Sequence, residues 1–220
     1  KYTVHSSDSA GAVTVNVTVT DLSGNQTTST NITSGSVSVD TTPGTITGLT
    51  IASNNSTTTL AKANDEVTLT ITTNEAISTP SVTFTSGNAS INDSSITYAG
   101  SGTSWTAKYT VNSSDSDGAV AVNVTVTDLS GNEFTSTNIT SGYVSVDTTA
   151  PTISGLAIAS NNSTTTLAKA NDIVTLTITT NEAISTPSVT FTSGSASIND
   201  SSITYAGSGT SWTAKYTVHS

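Results

Sequence analysis

The chain has no cysteine, no methionine and no arginine, and only five lysines among its 220 residues. Without cysteine it can build neither a disulfide framework nor a thiolate metal site. Five basic residues against fifteen acidic ones leave a net charge of −10. That balance argues against nucleic acid and anionic membrane as partners, because both are bound by replacing counterions with Lys and Arg, and it favours bound cations. No apolar run approaches the roughly 20 residues of a membrane-spanning helix, so no membrane insertion is expected in this segment. No signal peptide opens the chain, which reads as an interior portion of something longer or as a mature product. The two histidines, His5 and His219, fall on one repeat position that carries Asn112 in the middle copy, so a catalytic or obligate-ligand role for His fails. No Ser-His-Asp set, His cluster or Gly-rich phosphate loop is present, and the chain is not expected to be an enzyme.

What is present is repetition. Residues 1–113 laid over 108–220 differ at thirteen positions, among them His5/Asn112, Ala10/Asp117, Thr27/Phe134, Ser36/Tyr143 and Glu66/Ile173. Val-Asp-Thr-Thr followed by proline marks the unit boundaries near Asp40 and Asp147, since proline stops a ladder and stiffens a junction. The reading is residues 1–40 as the C-terminal part of one repeat, 41–147 as a complete repeat, and 148–220 as the N-terminal part of a third. Lys1–Ser6 repeats as Lys215–Ser220. Two accounts of these ends are open. The chain is a window on a continuous array, which the overlap favours, or separate chains join head to tail.

Each unit centres on a passage such as Val120 to Asn132, which alternates apolar and polar before breaking into a turn. Val120, Val122, Val124 and Val126 point one way and Ala121, Asn123, Thr125 and Thr127 the other, as in a half-buried strand. Further strands are predicted over 45–52, 67–73, 81–85, 95–99, 104–111 and 137–146, the last with a bulge at Gly142 where apolar parity slips. A long polar loop separates the first two. Trp105, Trp212, Tyr98 and Tyr205 are expected in the core. Seven strands in about 100 residues with no helical periodicity outline an all-β fold of tandem immunoglobulin-like sandwiches, head to tail.

Val-Asp-Thr-Thr-Ala-Pro-Thr-Ile at 146–153, Val-Thr-Val-Thr-Asp-Leu-Ser-Gly-Asn at 124–132 and Lys-Ala-Asn-Asp-Ile-Val-Thr-Leu at 169–176 carry a resemblance. Over its whole length the chain is similar to the tandem bacterial Ig-like (Big) domains of large repetitive surface adhesins and biofilm-associated proteins. The resemblance implies an extracellular, cell-surface location, a stalk that extends a distal module, and calcium at domain junctions. Pro43-Gly44 stands where the next unit has Ala150-Pro151, a departure that shifts the junction proline by one position.

Sandwich topology gathers scattered carboxylates at two poles. One pole collects Asp40, Asn74 with Glu75, and Asp128 with Asn132. The other collects Asn64 and Asp65 with Asp115 and Asp117. The copies add Asp147, Glu182, Asp21 and Asn25. Hard oxygen ligands suit calcium, but Asp and Asn also cap turns by bonding local amides, and both accounts stand at this point. Asn followed two residues on by Ser or Thr occurs thirteen times, so attached glycan is a further expectation. The functional expectation is a structural stalk or filament segment whose partners are neighbouring repeats, in the same chain or in a filament. A glycan- or surface-binding module, or an accessory part of a secreted enzyme, are the alternatives.

Overall fold

The computed structural model describes residues 1–91, 96–194, 196–197 and 203–219. They fall into two compact units, Lys1–Thr148 and Thr149–Ser220. In chain order the first unit contains β1 (Gly11–Ala12), β2 (Val17–Thr20), β3 (Gln26–Ser29), β4 (Ser38–Val39), β5 (Ile46–Ser53), β6 (Leu60–Ala61), β7 (Glu66–Thr73), β8 (Ser81–Ser86) and β9 (Ala89–Ser90). It continues with β10 (Thr97–Ser101), β11 (Ser104–Thr110), β12 (Gly118–Thr127), β13 (Glu133–Ser136) and β14 (Ser145–Val146). The second unit contains β15 (Ile153–Ser160), β16 (Ile173–Thr180), β17 (Thr192–Ser193), β18 (Ala196–Ser197), β19 (Thr204–Ser208) and β20 (Ser211–Thr217).

The complete repeat is an all-β, immunoglobulin-like sandwich. One sheet has the order β10-β11-β7-β5. In the other, β12 pairs with β8 on one side and with β13 and β14 on the other, β9 extends from β8, and β6 lies parallel to β14. The alternating strands place one face of each sheet inward. Leu49, Ile51, Val67, Leu69 and Ile71 from the first sheet are buried, as are Val82, Phe84, Val122, Val124 and Val126 from the second. Phe84 and Tyr109 meet across the core with ring centroids 4.9 Å apart, within the tilted range that aromatic pairs favour. The expected inward parity of the 120–127 strand is what the structure shows.

Three details differ from the sequence expectation. The expected strand over 137–146 shrinks to β14 at its end, and an unexpected strand, β13, precedes it; both pair with β12, and between them the chain crosses to β5, where Thr140 N donates to Leu49 O (2.8 Å) and Ile51 N to Ser141 O (3.1 Å). The break falls at Gly142, whose φ is +77°. Inside the polar loop, Leu60–Ala61 forms a short parallel pairing with Ser145–Val146. Tyr98 lies partly exposed on β10 instead of in the core, and its hydroxyl accepts from Val82 N (3.1 Å), so an edge tyrosine ties one sheet to the other. Trp105 is half-buried and packs on the core. Residue 95 of the expected 95–99 strand lies outside the described residues.

In the second unit β15-β16-β20-β19 reproduces the first sheet of the complete repeat. Residues 188–191, the counterparts of most of β8, form no strand.

Candidate metal centre

Asp128 ends β12 and is 4% exposed. The Asp-Leu-Ser-Gly-Asn turn folds around its carboxylate: Oδ1 accepts from Ser130 N (2.8 Å) and Asn132 N (2.9 Å), and Oδ2 accepts from Asn132 Nδ2 (2.8 Å). Burial pushes this carboxyl up, but the donors of Asn132, Ser130 and Gly131 outweigh it and hold the group below the ordinary carboxylate range. The first copy repeats the turn in full exposure, with Asp21 accepting from Ser23 N (2.8 Å), Asn25 N (2.9 Å) and Asn25 Nδ2 (2.9 Å). Turn chemistry alone therefore accounts for the orientation of Asp21, Asn25, Asp128 and Asn132. It does not account for what comes to meet Asp128.

Two other segments converge on it. The loop after β7 is pinned at both ends: Asn74 Oδ1 accepts from Thr45 N (2.6 Å), Thr73 Oγ1 donates to Glu75 O (2.6 Å), and the buried Ile77 bridges to Asp128. Asp40, next to the last strand of the N-terminal piece, arrives from the other side, its main-chain carbonyl accepting from Asn132 Nδ2 (3.2 Å). One carboxylate oxygen from each of Asp40, Glu75 and Asp128 lies within 4.8 Å of the others. Two oxygens on one calcium ion, each at roughly 2.3 to 2.6 Å, can stand at most about 5 Å apart, so the three fit a single ion. Like charges at about 5 Å repel by roughly 3 kcal/mol per pair at an effective dielectric constant near 20. The described ion pairs, Lys62–Asp65 at 3.7 Å and Lys108–Glu66 at 2.8 Å, involve none of the three. Three carboxylates would supply half of the smallest calcium shell, and Asn132 serves the centre as a donor that clamps Asp128 to Asp40.

The other pole is built differently. Its loops do meet, since Asn64 N donates to Val111 O and Val111 N to Asp65 O. Two of its carboxylates are engaged within their own loops, Asp65 Oδ2 accepting from Asn55 Nδ2 (2.7 Å) and Lys62 N (2.9 Å) and Asp115 Oδ2 from Asn112 N (2.8 Å), while Asp117 Oδ1 accepts from the more distant Thr148 N (2.7 Å). Asp115, Asp117 and Asp147 join no group of three ligating residues among the described ones. In the second unit Thr180 Oγ1 donates to Glu182 O (2.6 Å), as at Glu75. What the sequence did not disclose is the role of Thr73, Thr45 and the Asp40 carbonyl in placing the three carboxylates. The Thr-Asn-Glu run that follows a strand was the available signal.

The depressed Asp128 carboxyl has a consequence for acid stability. A group held lower in the folded chain than unfolded stabilises the fold above its unfolded value of about 3.9, and that stabilisation is lost as pH falls through the folded value. The melting temperature of the full chain should therefore decline below about pH 4, and Asp128→Asn should flatten the decline. Parallel profiles for the two proteins would show that Asp128 is not part of it.

No protein-family profile matches the chain, and no curated protein matches it. Among solved structures it is similar to the crystal structure of the titin domains Z1Z2 in complex with telethonin, at 12% identity over 83% of this chain and 85% of that one, with a TM-score of 0.29.

Proposed function

We propose that the chain is a spacer: a segment of an extracellular stalk or filament on a cell surface, of the kind found in repetitive adhesins and biofilm proteins, stiffened by calcium at the junction between repeats. The observation that carries this reading is the placement of Asp40. It belongs to the end of the preceding copy, yet its carboxylate stands with Glu75 and Asp128 of the complete repeat. An ion held by all three would fasten one copy to the next at the pole where they join. Near-identical loops in every copy support spacing over recognition, because a specific binding site needs only one copy. The role is structural, with no catalytic set to assign.

Calcium that binds only the folded chain should stabilise it by RT ln(1 + [L]/Kd), about 2.7 kcal/mol at a hundredfold excess over Kd. The check is a melting curve and small-angle scattering with calcium and with chelator. The melting temperature should rise with calcium, and Glu75→Gln should abolish most of the rise. Superimposable curves for the native chain would sink the proposal.

A further inference from the structure

The chain enters and leaves the complete repeat at opposite poles, and it is tied down at each. At entry Asn132 Nδ2 donates to Asp40 O (3.2 Å), beside the Asp128 turn. At exit Thr148 N and Thr148 Oγ1 donate to Asp117 Oδ1 (2.7 and 3.0 Å). Asp117 directly precedes β12 and Asp128 directly follows it, so the length of that strand separates the two points. A repeat that is one link of a spacer is pulled between them.

The segments that receive this pull run side by side in the same direction. Thr50 of β5 bridges in parallel to Ser141, and β6 pairs in parallel with β14. The other strand ladders of the complete repeat are antiparallel. The parallel seam is closed by Thr140 N donating to Leu49 O (2.8 Å), Ile51 N to Ser141 O (3.1 Å), Ser145 N to Thr59 O (2.9 Å) and Asp147 N to Ala61 O (2.9 Å). The Thr140 hydroxyl reinforces it, accepting from Leu49 N and donating to Leu49 O, both at 3.0 Å. Ser53 binds β6 back to β5, its N donating to Thr58 O (2.9 Å) and its hydroxyl to Leu60 O. Gly142 lets the two segments come this close, since a Cβ there would stand 2.1 Å from Ile51 O.

Geometry decides how such a seam fails. Tension draws β5 toward the entry pole and residues 140–147 toward the exit pole, so the two slide past each other with their hydrogen bonds lying across the pull. A slide of about 2 Å carries bonds of this length to the limit of hydrogen-bond distance all together. A hairpin pulled apart at its open end gives up its bonds one at a time, and each is weak alone. We infer that the complete repeat bears tension along the chain, and that the parallel seam joining β5 and β6 to residues 140–147 sets the force at which it opens. This inference rests on the spacer reading, because a stalk is loaded from end to end, and it assigns the resistance to hydrogen bonds and not to a cation.

The test is the direction of pull. The chain has no cysteine, so introduced pairs of cysteines fix the two points at which force is applied. Optical-tweezers unfolding of the full 220-residue chain, in chelator, compares Thr42→Cys with Ala150→Cys, which loads the seam lengthwise, against Thr42→Cys with Ser130→Cys, which pulls from one pole and peels it. At equal force the lengthwise pair should open about tenfold more slowly or better, and Thr140→Val, which removes both hydroxyl bonds of the seam, should return about tenfold of that. The same substitution should leave the peeling direction nearly unchanged. Thr125→Val removes a hydroxyl pair of 2.9 Å to Thr135 that lies off the seam, and it should change neither direction. Equal resistance in the two directions overturns the inference without recourse to any seam variant. So does a Thr140→Val chain that opens faster by the same factor in both, since that marks a residue of general stability only. If calcium raises the melting temperature of a chain whose two directions resist alike, the seam falls and the spacer reading stands. Unequal directions in a chain whose melting calcium leaves unchanged would mean the reverse.

Discussion

Val124→Asp should leave the complete repeat unfolded, while Asn123→Asp one residue away should melt within about 0.5 kcal/mol of the native chain. Val124 is wholly buried at the centre of β12, paired with Val82 on one side and Ser136 on the other. A carboxylate there has no cation and no water to meet. The effective penalty of burying an unpaired ion is several kcal/mol, to which the lost valine packing adds about 1.5 to 3 kcal/mol. A domain of this size has a net stability of roughly 5 to 15 kcal/mol, so most of it would be gone. Asn123 occupies the opposite face of the strand and is exposed. Calorimetry of the full chain should show the transition of the complete repeat missing in the first variant and in place in the second. Equal melting of both would mean that the alternation does not define the core.

That alternation was the most legible feature of the sequence, because a period of two is local and repeats over eight residues. The fold class followed from it, since seven short strands with few turn solutions leave little besides a sandwich. The convergence of Asp40, Glu75 and Asp128 was also legible, because topology fixes which loops share a pole. The remaining features depend on partners distant in sequence. Leu60–Ala61 is too short for any periodicity, and only its ladder to Ser145–Val146 makes it a strand. Tyr98 has the parity of a core residue but sits on the outermost strand of its sheet, where its hydroxyl reaches the Val82 backbone. Asn132 read as an oxygen ligand, yet its amide donates to both Asp128 and Asp40, an orientation set by neighbours from two other segments. The hydroxyl of Tyr109 is buried without a partner among the described residues, and no sequence pattern marks such a group.

Gly142→Ala should cost the complete repeat about 3 kcal/mol or more, whereas Gly35→Ala in the first copy should cost only the backbone component, about 1 to 2 kcal/mol. The sequence around the two glycines is the same except for Tyr143 against Ser36, and both have positive φ, +77° and +81°. An L-residue pays for that conformation at either site. What separates them is the chain opposite. At Gly142 an added methyl would stand 2.1 Å from the Ile51 carbonyl oxygen, closer than any real contact, so the crossing segment must move off β5. Moving it breaks the bond from Ile51 N to Ser141 O and strains that from Thr140 N to Leu49 O, each worth roughly 1 kcal/mol net. It also loosens the seam by which the segment between β13 and β14 locks the two sheets together. At Gly35 there is nothing to displace. Denaturant titration of the two single variants measures the difference directly: equal losses would mean that the left-handed backbone alone demands glycine, and a large loss confined to Gly142→Ala would show that the close approach to β5 demands it.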